Sequence, residues 1–66
     1  MKVKYIGESF YNGFGLTKNK TYECIEIEKD MLRIIDDEGE DYLYNANPKD
    51  WEIKQDKDGQ LEKVLK

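Results

Sequence analysis

The stretch from Lys20 to Tyr44 constrains this chain most, because two turn signals separate three runs of strand-forming residues. The runs are Thr21–Glu28, Met31–Ile35 and Asp41–Tyr44, rich in β-branched and aromatic side chains. Lys29-Asp30 and Asp37-Glu38-Gly39 fill the gaps, so the pattern predicts a three-strand antiparallel meander. Within the first run Tyr22 and Cys24 share one face while Ile25 and Ile27 share the other. Such a switch predicts a β-bulge or sharp bend near Ile25-Glu26. A three-residue loop at Asp37-Glu38-Gly39, with Gly39 left-handed, sets Asp36 opposite Glu40, Ile34 opposite Tyr42 and Leu32 opposite Tyr44. A two-residue loop at Glu38-Gly39 instead creates two like-charge pairs, each costing up to about 1 kcal/mol. The three-residue loop is preferred. The expected core gathers Tyr22, Cys24, Leu32, Ile34 and Tyr42.

Upstream, Lys2-Val3-Lys4-Tyr5-Ile6 alternates charged and apolar residues, as a half-buried strand does, with Val3 and Tyr5 on one face. Residues 7–19 hold Gly7, Gly13 and Gly15 without sustained periodicity, which predicts a long folded-back loop. Asn12-Gly13 between aromatics is a type I′ hairpin signal, and Lys18-Asn19 marks the bend into the next strand. Downstream, Asn45–Asp50 contains the only proline, and one turn of 3₁₀ helix is expected before a last strand over Trp51–Lys54. Gln55–Gly59 reads as a further turn. Leu61, Val64 and Leu65 have helical spacing in a segment too short to hold a helix alone, so helix and added strand both stay open. The expected fold is all-β: a small five-stranded barrel over residues 1–54, with a turn and tail over 55–66.

The order of strand, long irregular loop, meander, 3₁₀ turn and short last strand resembles Src-homology-3-like barrels. Leu16-Thr17-Lys18-Asn19-Lys20-Thr21-Tyr22-Glu23 and Asp36-Asp37-Glu38-Gly39-Glu40-Asp41-Tyr42-Leu43-Tyr44 resemble small, mostly uncharacterised barrel proteins of Gram-positive bacteria and their phages. The resemblance implies the barrel and no particular activity. Signalling barrels of eukaryotic type carry Ala-Leu-Tyr-Asp-Tyr, which has no counterpart in Lys4-Tyr5-Ile6-Gly7-Glu8, and Met31-Leu32 stands where they have a Trp pair. Polyproline binding is therefore not implied.

A chain of 66 residues makes one domain. At that size only about 60% of the unfolded surface is buried, so stability is narrow. Cys24 is the only cysteine and there is no histidine, so neither a disulfide nor a zinc site is expected to reinforce it. No run of seven apolar residues occurs, so neither a signal peptide nor a membrane span is expected, and Met1 reads as a native start of a cytoplasmic protein.

The net charge of −4 is unevenly spread: residues 1–22 carry +3, residues 23–41 carry −7 and residues 42–66 balance. The acidic meander should repel nucleic-acid phosphates and attract basic partners. Asp36, Asp37, Glu38, Glu40 and Asp41 are expected to form a solvated acidic face at the hairpin tip.

Catalysis is not expected, because acid–base work would fall to carboxylates placed in turns, where solvation keeps them ordinary. Cys24 has no base near it in sequence and reads as a core thiol. Asp56-Lys57-Asp58-Gly59 resembles the middle of a calcium loop, but Lys54 and Leu65 then fall where carboxylates are required. No metal or cofactor is expected.

Five Tyr, two Phe and one Trp exceed what so small a core can hold. One reading folds Phe10 and Phe14 under the loop as a plug for the barrel end. The other places Tyr11 and Phe14, with Tyr44 and Trp51, on an exposed patch for a protein partner of basic character. The chain is then a protein-interaction module, monomeric or weakly dimeric through an edge strand. Two alternatives are a nucleic-acid-associated barrel using Lys2, Lys4, Lys18 and Lys20, or an acidic mimic occupying a nucleic-acid-binding protein.

Overall fold

The computed structural model describes residues 1–11 and 14–65. The Asn12-Gly13 hairpin signal lies outside the described residues. Five strands, β1 (Lys2–Tyr5), β2 (Thr21–Glu28), β3 (Met31–Ile35), β4 (Asp41–Asn45) and β5 (Trp51–Gln55), form one antiparallel sheet in the order β4-β3-β2-β1-β5. The longest strand, β2, is shared between two partners. Its first part pairs with β1 (Tyr22 opposite Val3), and the remainder pairs with β3 (Cys24 opposite Ile34). The ladder shifts register between Cys24 and Glu26, at the expected bulge. An extra residue there bends the strand, which turns the two parts of the sheet toward each other around one core.

Turn chemistry sets the meander's register. Lys29 adopts φ +58° in the two-residue link between β2 and β3. Gly39 adopts φ +75°, and Asp36 N–H donates to Glu40 C=O at 3.0 Å, closing the three-residue loop. Leu32 then faces Tyr44 and Ile34 faces Tyr42, as expected. The Asn47–Asp50 segment is a single turn, with Asp50 N–H donating to Asn47 C=O at 2.8 Å. The 3₁₀ turn expected there is not formed; a separate 3₁₀ turn follows β5 at Lys57–Gly59 and leads into a short helix, α1 (Gln60–Val64). The helix needs tertiary support at this length. Leu61, fully buried, supplies it, and the Asp56 carboxylate accepts the Leu61 and Glu62 N–H groups at 2.8 and 3.0 Å. The tail thus belongs to the same core as the strands.

That core comprises Val3, Tyr5, Leu16, Tyr22, Cys24, Leu32, Ile34, Trp51 and Leu61. Each fully buried aliphatic side chain contributes about 1.5–3 kcal/mol. Tyr42 corrects an expectation: it is 49% exposed, on the edge strand β4. The edges β4 and β5 do not pair, so the sheet is not closed by a ladder. Side chains join them instead, since Trp51 Nε1–H donates to the Asn45 carbonyl at 2.9 Å. Among the described residues no helix is long and apolar enough to cross a membrane.

Candidate functional site

Four rings from different parts of the chain touch edge to face in series. Trp51 (β5) meets Tyr5 (β1) at 5.1 Å between centroids, Tyr5 meets Phe10 at 6.1 Å, and Phe10 meets Tyr44 (β4) at 6.0 Å. Each such pair adds about 0.5–1.5 kcal/mol beyond burial, so the series fixes the loop against β1 and the edge strand β4. Phe10 N–H donates to Leu16 C=O at 2.8 Å and Phe14 N–H to Tyr11 C=O at 2.9 Å, which folds the loop back on itself. Tyr5 anchors its start by donating its hydroxyl to Glu8 C=O at 2.7 Å.

This scaffold holds aromatic surface in water. Phe10 is 51% exposed, Phe14 59% and Tyr11 86%. Both residues of the plug reading are more than half exposed, so neither is buried under the loop, although Phe10 packs edge to face on Tyr5 and Tyr44. Two shallow recesses adjoin Phe10. One of about 150 Å³ lies among Tyr5, Phe10, Leu16, Tyr44, Asn45, Asp50 and Trp51, and another of about 250 Å³ lies at Ser9, Phe10 and Tyr11. Of the four residues expected on a binding patch, Tyr11 and Phe14 are exposed and Tyr44 is half-buried. Trp51 is only 4% exposed and belongs to the core, its indole N–H satisfied by Asn45. Phe10 takes its place at the surface.

The expected acidic face needs a similar correction. Asp36 is 5% exposed, and its carboxylate accepts the Tyr44 hydroxyl at 2.8 Å and the Glu38 and Glu40 N–H groups at 3.0 and 3.4 Å. Asp37 turns the other way, toward the long loop. Its carboxylate accepts Lys20 Nζ at 2.6 Å, Thr17 Oγ1 at 2.7 Å and the Tyr22 hydroxyl at 2.9 Å, while its N–H donates to Gly15 C=O. Only Glu38, Glu40 and Asp41 remain on the exposed tip. A signal for this existed in the sequence. Tyr22 and Tyr44, aimed at a core, need partners for their hydroxyls, and the adjacent Asp pair supplies them.

The chain matches no family model, no curated protein and no solved structure in comparisons of sequence and fold.

Electrostatics follow from these contacts. Burial pushes the Asp37 carboxyl up, but hydrogen bonds from Lys20, Thr17 and Tyr22 outweigh it and hold it below the usual aspartate range. Burial, then the hydrogen bond to Asp36, pushes the Tyr44 hydroxyl far above an ordinary tyrosine. Burial also raises the Cys24 thiol, which lies 1% exposed with its Sγ 3.5 Å from Glu26 C=O. A thiol kept protonated is a poor nucleophile. Arg33 draws Glu28, Asp41 and Glu26 to within 2.7, 3.5 and 4.0 Å, across β2, β3 and β4. Lys20, one of four lysines in the basic-face alternative, is engaged by Asp37. Among the described residues no group of three or more Cys, Asp or Glu side chains is placed to hold a metal ion.

Proposed function

We propose that this chain is a small Src-homology-3-like barrel of the cytoplasm that acts as a protein-interaction module, without catalytic activity of its own. The observation that carries the reading is the trio Phe10, Tyr11 and Phe14, more than half exposed on a loop pinned by ring contacts to β1 and β4. Exposed rings on an ordered base offer apolar area with little entropy left to lose on binding. The barrel reading draws support from the bent β2, the order of elements and the Trp51–Asn45 link between the two edges.

The partner we infer is a basic protein segment with an apolar anchor. The anchor packs on the exposed Phe10, Tyr11 and Phe14, next to the recess bounded by Phe10, Tyr44 and Asp50. Lys or Arg side chains beside it meet the carboxylates that flank these rings: Glu8 and Asp50 act on Tyr5, and Glu38 acts on Tyr42 and Tyr44. Complementary charge steers the encounter and sets specificity more than affinity.

Selection from a peptide library tests this. Enriched sequences should combine Lys or Arg with an aromatic or large aliphatic residue, and binding should fall at least tenfold in Tyr11→Ala and Phe14→Ala while thermal unfolding stays unchanged. Undiminished binding by both variants would move the site elsewhere. Selection of oligonucleotides over peptides would favour the nucleic-acid alternative.

A further inference from the structure

We propose that β5 is a self-complementary edge, and that two copies of this chain pair through it in antiparallel fashion about a two-fold axis at Ile53. Strand β5 ends the sheet, and past Trp51 all of its residues are exposed, so among the described residues no other element covers the edge. The direction of its backbone groups follows from the ladder with β1. Ile6 N–H donates to Asp50 C=O at 2.7 Å, whereas Tyr5 N–H donates to Lys20 C=O at 2.9 Å on the opposite side. Hydrogen-bonded and non-bonded pairs alternate along an antiparallel ladder. Lys4 opposite Glu52 is thus a bonded pair, and Val3 opposite Ile53 is not; beyond Val3 the register shifts, so that Lys2 faces Gln55 and Lys54 is the extra residue on β5. Both the N–H and the C=O of Ile53 point outward, away from β1.

A two-fold axis at that residue gives two reciprocal hydrogen bonds, from each Ile53 N–H to the other copy's Ile53 C=O. The same register sets Glu52 opposite the partner's Lys54 and Lys54 opposite the partner's Glu52. These side chains already share a face, since Lys54 Nζ lies 2.9 Å from Glu52 Oε1 within one chain. Lys4 stands opposite Glu52 in the β1–β5 ladder. Across the joined sheets the row Lys4, Glu52 and the partner's Lys54 therefore alternates in sign, twice over. A lone lysine on an edge protects it from pairing. Glu-Ile-Lys centred on an outward-facing residue does the opposite for an identical strand. On the other face the two Ile53 side chains, each 37% exposed, cover one another.

The other edge lacks this property. A two-fold axis at Leu43 of β4 sets Tyr42 opposite Tyr44 and Asp41 opposite Asn45, with no ion pair, and the Asn45 carbonyl is already held by Trp51. Because one edge of each copy is used, pairing stops at two. Five-residue strands bury less than the roughly 1,200 Å² of standard interfaces, so the dimer is weak and reversible.

Sedimentation equilibrium of the full chain up to about 1 mM tests the proposal. The wild type should move from monomer toward dimer mass as concentration rises. Glu52→Lys and Lys54→Glu each place like charges opposite one another at two symmetric positions, and each should weaken association about tenfold or more. The double variant Glu52→Lys/Lys54→Glu reverses both interchain pairs and should restore association, while Lys4 then faces a lysine within each chain. Ile53→Pro deletes an N–H that the monomer does not use in its ladder and should abolish the dimer. Both charge positions are exposed, and circular dichroism confirms folding. A wild type that stays monomeric at the highest concentration overturns the proposal. So do single variants that dimerise like the wild type, or a double variant that does not recover.

Discussion

The Tyr22 hydroxyl lies 2.9 Å from Asp37 Oδ1, and this one contact ties the start of β2 to the loop between β3 and β4. The same hydroxyl accepts Thr17 N–H at 2.6 Å, so the long loop, the core and the acidic hairpin meet at a single carboxylate. Asp37→Ala leaves three donors without their acceptor. The expected cost is about 2–3 kcal/mol, read as a drop in Tm of about 10–20 °C for a domain this small. Glu38→Ala, one residue along on the exposed tip, should stay within about 0.5 kcal/mol of wild type. Equal effects from the two variants would remove Asp37 from this role.

Acid stability should report the same carboxylate. The folded-state pKa of Asp37 is lowered, so the stability it contributes is complete above the unfolded value near 3.9. It is lost as pH falls through that value toward the folded one. Urea unfolding midpoints measured from about pH 6 down to pH 2 should fall, and Asp37→Asn should flatten the curve. At the alkaline end the sign reverses. Tyr44, Tyr22 and Tyr5 are raised, so their contribution is complete below about pH 10 and lost as pH climbs through their folded values. Tyr44→Phe should flatten the alkaline limb.

Two glycines with left-handed backbones should respond differently to alanine. Gly39 (φ +75°) has open space where a Cβ would stand, so Gly39→Ala should cost about 1 kcal/mol of backbone strain alone. Gly15 (φ +74°) would place a Cβ 2.7 Å from Phe10 Cδ2. Gly15→Ala should therefore cost more than Gly39→Ala, and Phe10→Ala in the same chain should relieve the excess. Chemical denaturation of the double-mutant cycle measures that coupling.

Leu61→Ala should destabilise the whole chain by about 2–5 kcal/mol, although it sits in a five-residue helix near the C-terminus. Loss of helix signal before loss of the sheet, seen as two separate unfolding transitions, would mean that α1 is not part of the common core.

The meander, its register, the bulge, the shared face of Val3 and Tyr5 and the burial of Tyr22, Cys24, Leu32 and Ile34 are legible in the chain because they rest on neighbours. Alternation of side chains, left-handed glycine and like-charge avoidance all act within a few residues. Tyr42 was misplaced because nothing local distinguishes an edge strand from an interior one. Of the candidate site, aromatic excess in a glycine-rich loop points to Tyr11 and Phe14, both exposed in the structure. Phe10 was not, since its role depends on Tyr5 and Tyr44 arriving from distant strands.

Local order along the chain is thus enough to specify five strands and the two turns of the meander. Long-range packing was needed to turn Asp36 and Asp37 inward, to bury Trp51 and to give residues 60–64 a helical form. Each of those outcomes rests on a partner far away in sequence: Tyr44 for Asp36, Tyr22 for Asp37, Asn45 for the indole of Trp51, and the shared core for Leu61. A polar group goes inside only where its hydrogen bonds are met, and a folded chain alone can bring those donors and acceptors together.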